Sequence, residues 1–302
     1  MTDVIIVGAG TAGLSAAIYT VRAGKTATVF EGMMYGGQIV NTPSVENYPG
    51  IKTISGFDFA TDLYNQAKSL GAEVITQSVL RIEDEGKVKK VITRKGTYEA
   101  KSVILATGAA NRKLGLPHED EWVGRGVSYC ATCDGNFFRG KTVAVNGGGN
   151  TALEDAIYLS QMCEKVYLIH RRDAFRGEEH FVETLKEKDN VEFVLNSTIK
   201  ELKGTEKLEK LVVNNKVTGE DSEIELDGLF VAIGQIPQNE AFKDVVNLDD
   251  HGYVVAGEDC KTSAEGIFAA GDGRTKKVRQ LITAAGDGAV AALAACAHAD
   301  EV

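Results

Sequence analysis

Apolar and polar positions along the chain fall into blocks that read as strand, glycine turn, helix and strand. Residues 3–31, DVIIVGAGTAGLSAAIYTVRAGKTATVFE, hold an apolar strand, a G-x-G-x-x-G turn at Gly8, Gly10 and Gly13, an amphipathic helix, and a second strand ending at Glu31. Residues 141–172, KTVAVNGGGNTALEDAIYLSQMCEKVYLIHRR, repeat the plan with Gly147, Gly149 and Ala152. Every landmark recurs 139 residues on, Gly8 at Gly147, Gly10 at Gly149, Gly13 at Ala152 and Glu31 at His170. One such motif is weak; two in register, each between strand and helix, point to two dinucleotide sites. A third block, GIFAAGDGRTKKVRQLITAAGDGAVAALAA, predicts a short strand closing at Gly271-Asp272, a loop, and a helix rich in small residues. Comparable strand ends occur at Ser102–Gly108, which holds Thr107 and Gly108, and at Gly228–Gly234.

This order predicts an α/β fold of two Rossmann-like three-layer domains, the second inserted into the first. Residues 1–110 and 239–302 would form an FAD-binding domain, and residues 111–238 an NADPH-binding domain carrying a Cys-x-x-Cys pair. Insertion is preferred because Asp272 has no evident role in the second unit and suits a second clamp on a flavin's diphosphate and ribityl chain. Strand signals near Val74–Ile92 and Val191–Val213 read as small accessory sheets.

The two copies differ where a ribose would be read. Glu31 can accept hydrogen bonds from ribose hydroxyls and repels a 2′-phosphate, so it suits FAD or NAD. The second copy instead ends in HRRDAFRG, placing Arg171, Arg172 and Arg176 where the acid would stand. Arginine forks match phosphate oxygens, so that site favours NADP.

Composition narrows the classes. The chain has 302 residues, 43% hydrophobic and 25% charged, enough for about two domains with sizeable cores. Glycine is abundant (33) and proline scarce (4), which suggests tight turns and close backbone approach to ligands rather than disorder. A net charge of −10 argues against a nucleic-acid partner. The N-terminal stretch lacks the basic start of a signal peptide, and no apolar run is expected to reach the roughly 20 residues that span a bilayer. Five scattered cysteines make no secreted disulfide framework, so a reducing cytoplasm is expected.

Cys130 and Cys133, in GVSYCATCDGNFFRGK, carry the candidate chemistry. Zinc needs four ligands; Cys163, Cys260 and Cys296 are isolated, and the five histidines show no ligand spacing, so no metal is expected. A purely structural disulfide closing so short a loop removes little chain entropy. A redox role fits better, with Asp134 next in sequence as proton shuttle, or as the turn residue before Gly135. Phe137 and Phe138 read as either core or docking surface.

GAGTAGLSAAIY, GGQIVNTPSVENYPG, ATGAANRKLGLP, YCATCDG, GGGNTALEDA, HRRDAFR and AAGDGRTKKVRQLITAAGDGA, in that order over essentially the whole chain, resemble the low-molecular-weight, bacterial-type thioredoxin reductases of the pyridine nucleotide-disulfide oxidoreductase class II family. The resemblance implies FAD held by Gly8–Gly13, by Glu31–Gln38 with Gly36 and Gly37, by Asn47, and by Asp272–Leu281 with Arg279 and Gln280. It implies NADPH at Asn150, Thr151, Arg171, Arg172 and Arg176. Cys133 would exchange electrons with the flavin, Cys130 would attack the thioredoxin disulfide, and Asp134 would be the acid/base. Such enzymes are cytoplasmic homodimers whose NADPH domain rotates against the FAD domain. Asn136 departs from the aromatic usual after CDG, Asn146 from an apolar strand residue, and Cys260 is an extra thiol. Two other readings stay open at this point: a reductase of another thiol carrier, such as a glutaredoxin-like protein or a peroxidase system, and a flavin-binding redox sensor without turnover.

Overall fold

A computed structural model describes residues 1–302 and divides them into two compact units, Met1–Ala110 with Ile236–Val302, and Asn111–Gln235. In the first unit, β1 (Thr2–Val7) runs into α1 (Thr11–Arg22) and β2 (Ala27–Glu31), followed by α2 (Gly56–Ser69), β3 (Glu73–Thr76), β4 (Val79–Glu85), β5 (Val88–Thr93) and β6 (Gly96–Leu105). β3, β2, β1 and β6 pair in parallel, β5 and β4 extend β6 antiparallel, and a later short strand joins the sheet beside the distal half of β6. β1 is apolar at consecutive positions, Val4, Ile5, Ile6 and Val7, because both of its faces are covered. α2 begins at a sequence-encoded cap: Ser55 Oγ accepts from the Asp58 N–H at 3.0 Å and donates to its carboxylate at 2.7 Å.

The chain leaves the first unit through β7 (Ala109–Asn111). The second unit then runs β8 (Val127–Ser128), α3 (Ala131–Asp134), β9 (Thr142–Gly147), α4 (Asn150–Ser160), β10 (Lys165–Ile169), α5 (Glu179–Lys186) and β11 (Val191–Val194). After these come β12 (Ser197–Gly204), β13 (Leu208–Asn215), β14 (Asp221–Glu225) and β15 (Gly228–Ala232). A parallel sheet has the order β11-β10-β9-β15-β8, and β12-β13-β14 form an antiparallel meander. Asn146 lies inside β9, half-buried and opposite Ile169 and Val231. The return crossing, β16 (Gln235–Pro237), pairs with β7; β17 (Ile267–Ala269) and α6 (Leu281–Glu301) follow.

α6 corrects one expectation. At 21 residues it is long and apolar enough, by length and composition, to cross a membrane. Its alanines and glycines are apolar without being bulky, so the stretch carries little apolar signal per residue. Within the first unit it packs along α1 instead, with Ala284, Ala291, Ala292 and Ala295 buried. The approach is so close that a Cβ on Gly288 would lie 2.2 Å from the Ala12 carbonyl oxygen.

Candidate functional site

The carboxyl ends of β1, β2, β6 and β17 converge on a cleft in the first unit, the usual ligand position in an open parallel sheet. Gly8, Gly10, Glu31, Gly36, Gly37, Gln38, Thr107, Gly108, Gly271, Asp272, Gln280 and Leu281 all line it. Gly8 has φ +106°, and a Cβ there would meet the Ala106 carbonyl oxygen at 2.3 Å; on Gly13 it would meet the Gly8 oxygen at 1.9 Å. Gly13 is therefore a packing residue behind the cleft. Gly10 is different: it is the N-cap of α1 with no side-chain cap, no acid in the first turn, and space beside it. An uncapped helix start of this kind presents free N–H groups and a positive dipole to an anion. The backbone holds Glu31 in place, with Oε2 accepting from Ala9 N–H at 2.9 Å and Oε1 from Met33 N–H at 3.0 Å. Asn47 stands outside the lining but donates to Gln280 Oε1 at 3.1 Å, and Arg279 stacks 4.3 Å from the Tyr253 ring centre.

Asp272 gives this cleft its most specific signal. Its Oδ1 is buried without a hydrogen-bond partner, and burial pushes its carboxyl up, against the pull of Lys276 and Arg279. A buried acceptor left unsatisfied in a polar cleft fits a ligand that brings hydroxyls. The Gly271–Asp272 turn rests on residues the sequence reading did not pick out. Asp287, on α6, accepts from Gly271 N–H (2.9 Å), from Arg274 Nε (2.8 Å) and Nη2 (2.8 Å), and from Lys276 Nζ (2.9 Å). Asn239, fully buried, accepts from Thr107 Oγ1 at 2.6 Å and donates to the carbonyls of Gly252 and Gly273. Their one sequence signal is a polar residue inside an otherwise apolar or loop segment, which is too common to single them out.

The second unit repeats the device. Gly149 is the N-cap of α4, again without a side-chain cap, and has nothing within 4 Å of its Cβ position. Gly147 and the buried Ala152 pack against each other and against Ala232. The 171–177 loop is tied to this turn by Arg176 N–H and Gly177 N–H donating to the Gly148 oxygen at 2.7 and 3.2 Å. The buried His170 ring covers Gly148 and stacks on Phe175 at 5.2 Å, and its Nε2 has no partner. Burial, and then the three nearby arginines, hold the His170 pKa low, outweighing a hydrogen bond from the ring to the Ala174 backbone. Arg171, Arg172 and Arg176 are exposed beside the free helix start, and none forms an ion pair. Asn150 is held by Glu178 through two hydrogen bonds, at 2.9 and 2.8 Å, while Thr151 is exposed. The arrangement can take the phosphates of a second nucleotide.

Cys130 and Cys133 form a disulfide in this unit, with Cys130 as N-cap of α3 and Asp134 ending the helix. Asp134 Oδ2 accepts from Ser128 Oγ at 2.6 Å; Oδ1 is buried without a partner. Burial pushes the Asp134 carboxyl up, opposed by the Ser128 hydrogen bond. A carboxyl with a raised pKa beside a disulfide can hold and release a proton as the bond opens and closes. The phenylalanine pair divides its roles: Phe138 packs edge-on against Phe230 and fills the space over Gly228, while Phe137 is 43% exposed. Asn136, also exposed, accepts from Arg139 Nη2 at 3.3 Å. Cys163, Cys260 and Cys296 are buried free thiols, and burial pushes Cys163 and Cys260 up to about 11. They are poorly suited to redox exchange.

Two uncapped glycine turns on parallel sheets, one of them sharing its unit with a Cys-x-x-Cys disulfide and a half-buried acid, define a dinucleotide-dependent disulfide oxidoreductase. Residues 2–288 match the pyridine nucleotide-disulphide oxidoreductase family. The thioredoxin reductase of Peptoclostridium acidaminophilum is 45% identical over 96% of this chain and 94% of its own length. That of Treponema pallidum is 45% identical over 99% and 97%. The crystal structure of thioredoxin reductase from Streptococcus pyogenes superposes with a TM-score of 0.96 at 40% identity, covering 100% of this chain and 99% of that one. The chain belongs to the pyridine nucleotide-disulphide oxidoreductases, on the branch of its thioredoxin reductase relatives. Membership implies a flavin and a nicotinamide cofactor.

Proposed function

We propose that this protein is an NADPH-dependent flavoprotein disulfide reductase that passes electrons through FAD and the Cys130–Cys133 pair to the disulfide of thioredoxin. The observation that carries the reading is the Cys130–Cys133 disulfide beside the half-buried Asp134, in the same unit as an uncapped glycine turn and three unpaired arginines. In this reading the first unit binds FAD, with its pyrophosphate on Gly8–Gly13, ribose hydroxyls on Glu31, and the unsatisfied Asp272 meeting the ribityl chain. The second unit binds NADPH, with its pyrophosphate at Gly149–Thr151 and its 2′-phosphate on Arg171, Arg172 and Arg176. Bound flavin and nicotinamide supply two-electron transfer, which is the change a disulfide requires. Cys133 is the sulfur that exchanges with the flavin, Cys130 the one that attacks the partner, and Asp134 carries the proton.

The relatives' names support thioredoxin as partner. Three free, unpaired thiols suit a reducing cytoplasm. A homodimer is supported by the exposed apolar side chains Ile282, Val290 and Leu293 on α6, which a second copy would cover. The test is NADPH-driven reduction of oxidised thioredoxin by wild type and Cys130→Ser, with glutaredoxin-like and peroxidase carriers run in parallel. The reading expects turnover with thioredoxin and none in the variant. Undiminished turnover by Cys130→Ser removes the mechanism, and a higher kcat/KM with another carrier reassigns the partner.

A further inference from the structure

We propose that Ser128 positions Asp134 for proton exchange with the cysteine pair. Its buried hydroxyl occupies one carboxyl oxygen and anchors to the Cys130 backbone, which reserves the other oxygen for the travelling proton. The proposal rests on the reading of Cys130–Cys133 as a redox dithiol.

The geometry is specific. Ser128, at the end of β8, is 3% exposed. Its Oγ lies 2.6 Å from Asp134 Oδ2 and accepts from the Cys130 N–H at 3.1 Å; the Cys130 carbonyl is farther off, at 3.4 Å. A hydroxyl has one proton to donate, and the short contact directs it to Oδ2. The Cys130 N–H holds the hydroxyl oxygen from behind, so the hydrogen bond to Asp134 moves with the first cysteine. Oδ2 is thereby kept as an acceptor, and Oδ1, buried and otherwise unpartnered, is the oxygen on which a proton is carried. The shift of Asp134 has burial as its cause, opposed by Ser128 alone. α4 packs against α3 and carries Glu154 and Asp155, yet neither contributes to that shift. Ser128 is the polar side chain that hydrogen-bonds the acid.

The step balances without any further reactant. Enzyme dithiol and carrier disulfide become enzyme disulfide and carrier dithiol, with two electrons and two protons crossing. One sulfur loses its proton to ionised Asp134 at Oδ1 and attacks the carrier's S–S bond, and the departing carrier sulfur receives that proton. The second cysteine then displaces the remaining carrier sulfur with its own proton, and Asp134 ends as it began. In the structure Ser128 makes no bond to either sulfur, so it is a positioning residue.

The experiment follows single turnover of pre-reduced holoenzyme with a small aromatic disulfide, 5,5′-dithiobis(2-nitrobenzoate), from pH 5 to 9, in wild type, Ser128→Ala, Ser128→Thr, Asp134→Asn and the Ser128→Ala/Asp134→Asn double variant. Losing the donor to an ionised carboxylate makes ionisation harder, so Ser128→Ala should move the acid limb to higher pH. It should react roughly tenfold more slowly on that limb and converge with wild type at alkaline pH. Ser128→Thr, which keeps the hydroxyl, should restore the limb, and Ser128→Ala should change nothing further in the Asp134→Asn background. An unmoved limb, a uniform loss at every pH, or additive effects in the double variant overturn the proposal. Wild type that reduces the probe but not thioredoxin refutes the proposed partner and leaves this test intact. Wild type inert to the probe refutes both.

Discussion

Replacing Gly149 by alanine separates binding from folding. Gly149 has φ −98° and ψ 179°, a conformation open to any L residue, and no atom lies within 4 Å of the added methyl. The apoprotein should therefore keep its stability to within about 0.5 kcal/mol. The methyl nevertheless stands over the uncapped start of α4, where a nucleotide pyrophosphate would approach the backbone most closely. Pushing the phosphates outward forfeits at least one charge-assisted hydrogen bond, about 1.5–3 kcal/mol, or roughly ten- to a hundredfold in affinity. Gly147→Ala is the contrasting variant: its methyl would lie 2.3 Å from the Ala232 oxygen and 2.6 Å from Ala152 Cβ. Overpacking there should destabilise by about 1–3 kcal/mol. Calorimetric NADPH titration beside thermal melting of both variants reads the two effects apart. Gly149→Ala that binds NADPH like wild type, or that melts early like Gly147→Ala, refutes this account of the second glycine turn.

Other perturbations test other parts. Arg171→Ala with Arg172→Ala should raise the KM for NADPH roughly ten- to a hundredfold and leave that for NADH nearly unchanged; equal effects would show that they do not read the 2′-phosphate. Asp287→Ala strands the guanidinium of Arg274, 2% exposed, without its partner. It should cost about 3–5 kcal/mol in denaturant unfolding, with wild-type stability as the contrary result. Asp287 itself is held low: burial raises it, but Arg274 and Lys276 more than offset that. Its stabilising contribution is present above the ordinary carboxylate range and should vanish as pH falls through its lowered value, so the Asp287→Ala deficit should shrink in acid. Asp155, on α4, is pushed up to about 7 by burial and then by Glu154. Its ionisation costs stability as pH rises from about 4 to 7. Asp155→Asn should therefore raise the melting temperature at pH 8 and not at pH 4.

The parts legible in the sequence were those encoded over a few neighbouring residues. The turns at Gly8 and Gly147 stand between strand and helix as read, because the glycine spacing itself repeats within six residues, although the backbone that a Cβ would strike, at Ala106 and Ala232, is distant in sequence. The apolar runs that became β1, β9 and β15 were readable because strands covered on both faces lose the alternation of a half-exposed strand. Phe137 and Phe138 were not separable, since only the distant Phe230 and Gly228 decide which ring is enclosed. Asn239 and Asp287 were missed for the same reason, whereas Ser128, only six residues from Asp134, was missed because a lone serine at a strand end is too common to signal a role. Asn239 bonds Thr107 across 132 positions, and Asp287 becomes a buttress only when α6 packs beside the Gly271 turn. The membrane-length helix was missed because its small side chains give weak apolar signal per residue.

The central claim is that nicotinamide-derived electrons open Cys130–Cys133 and leave again to a carrier. Differential alkylation and mass analysis of the anaerobic holoenzyme, sampled through an NADPH titration and then after adding oxidised thioredoxin, tests it most directly. The account predicts one Cys130–Cys133 dithiol formed for each NADPH consumed once the flavin is reduced, and a closed disulfide again after thioredoxin is added. A disulfide that stays closed under excess NADPH, with the flavin reduced, would contradict it.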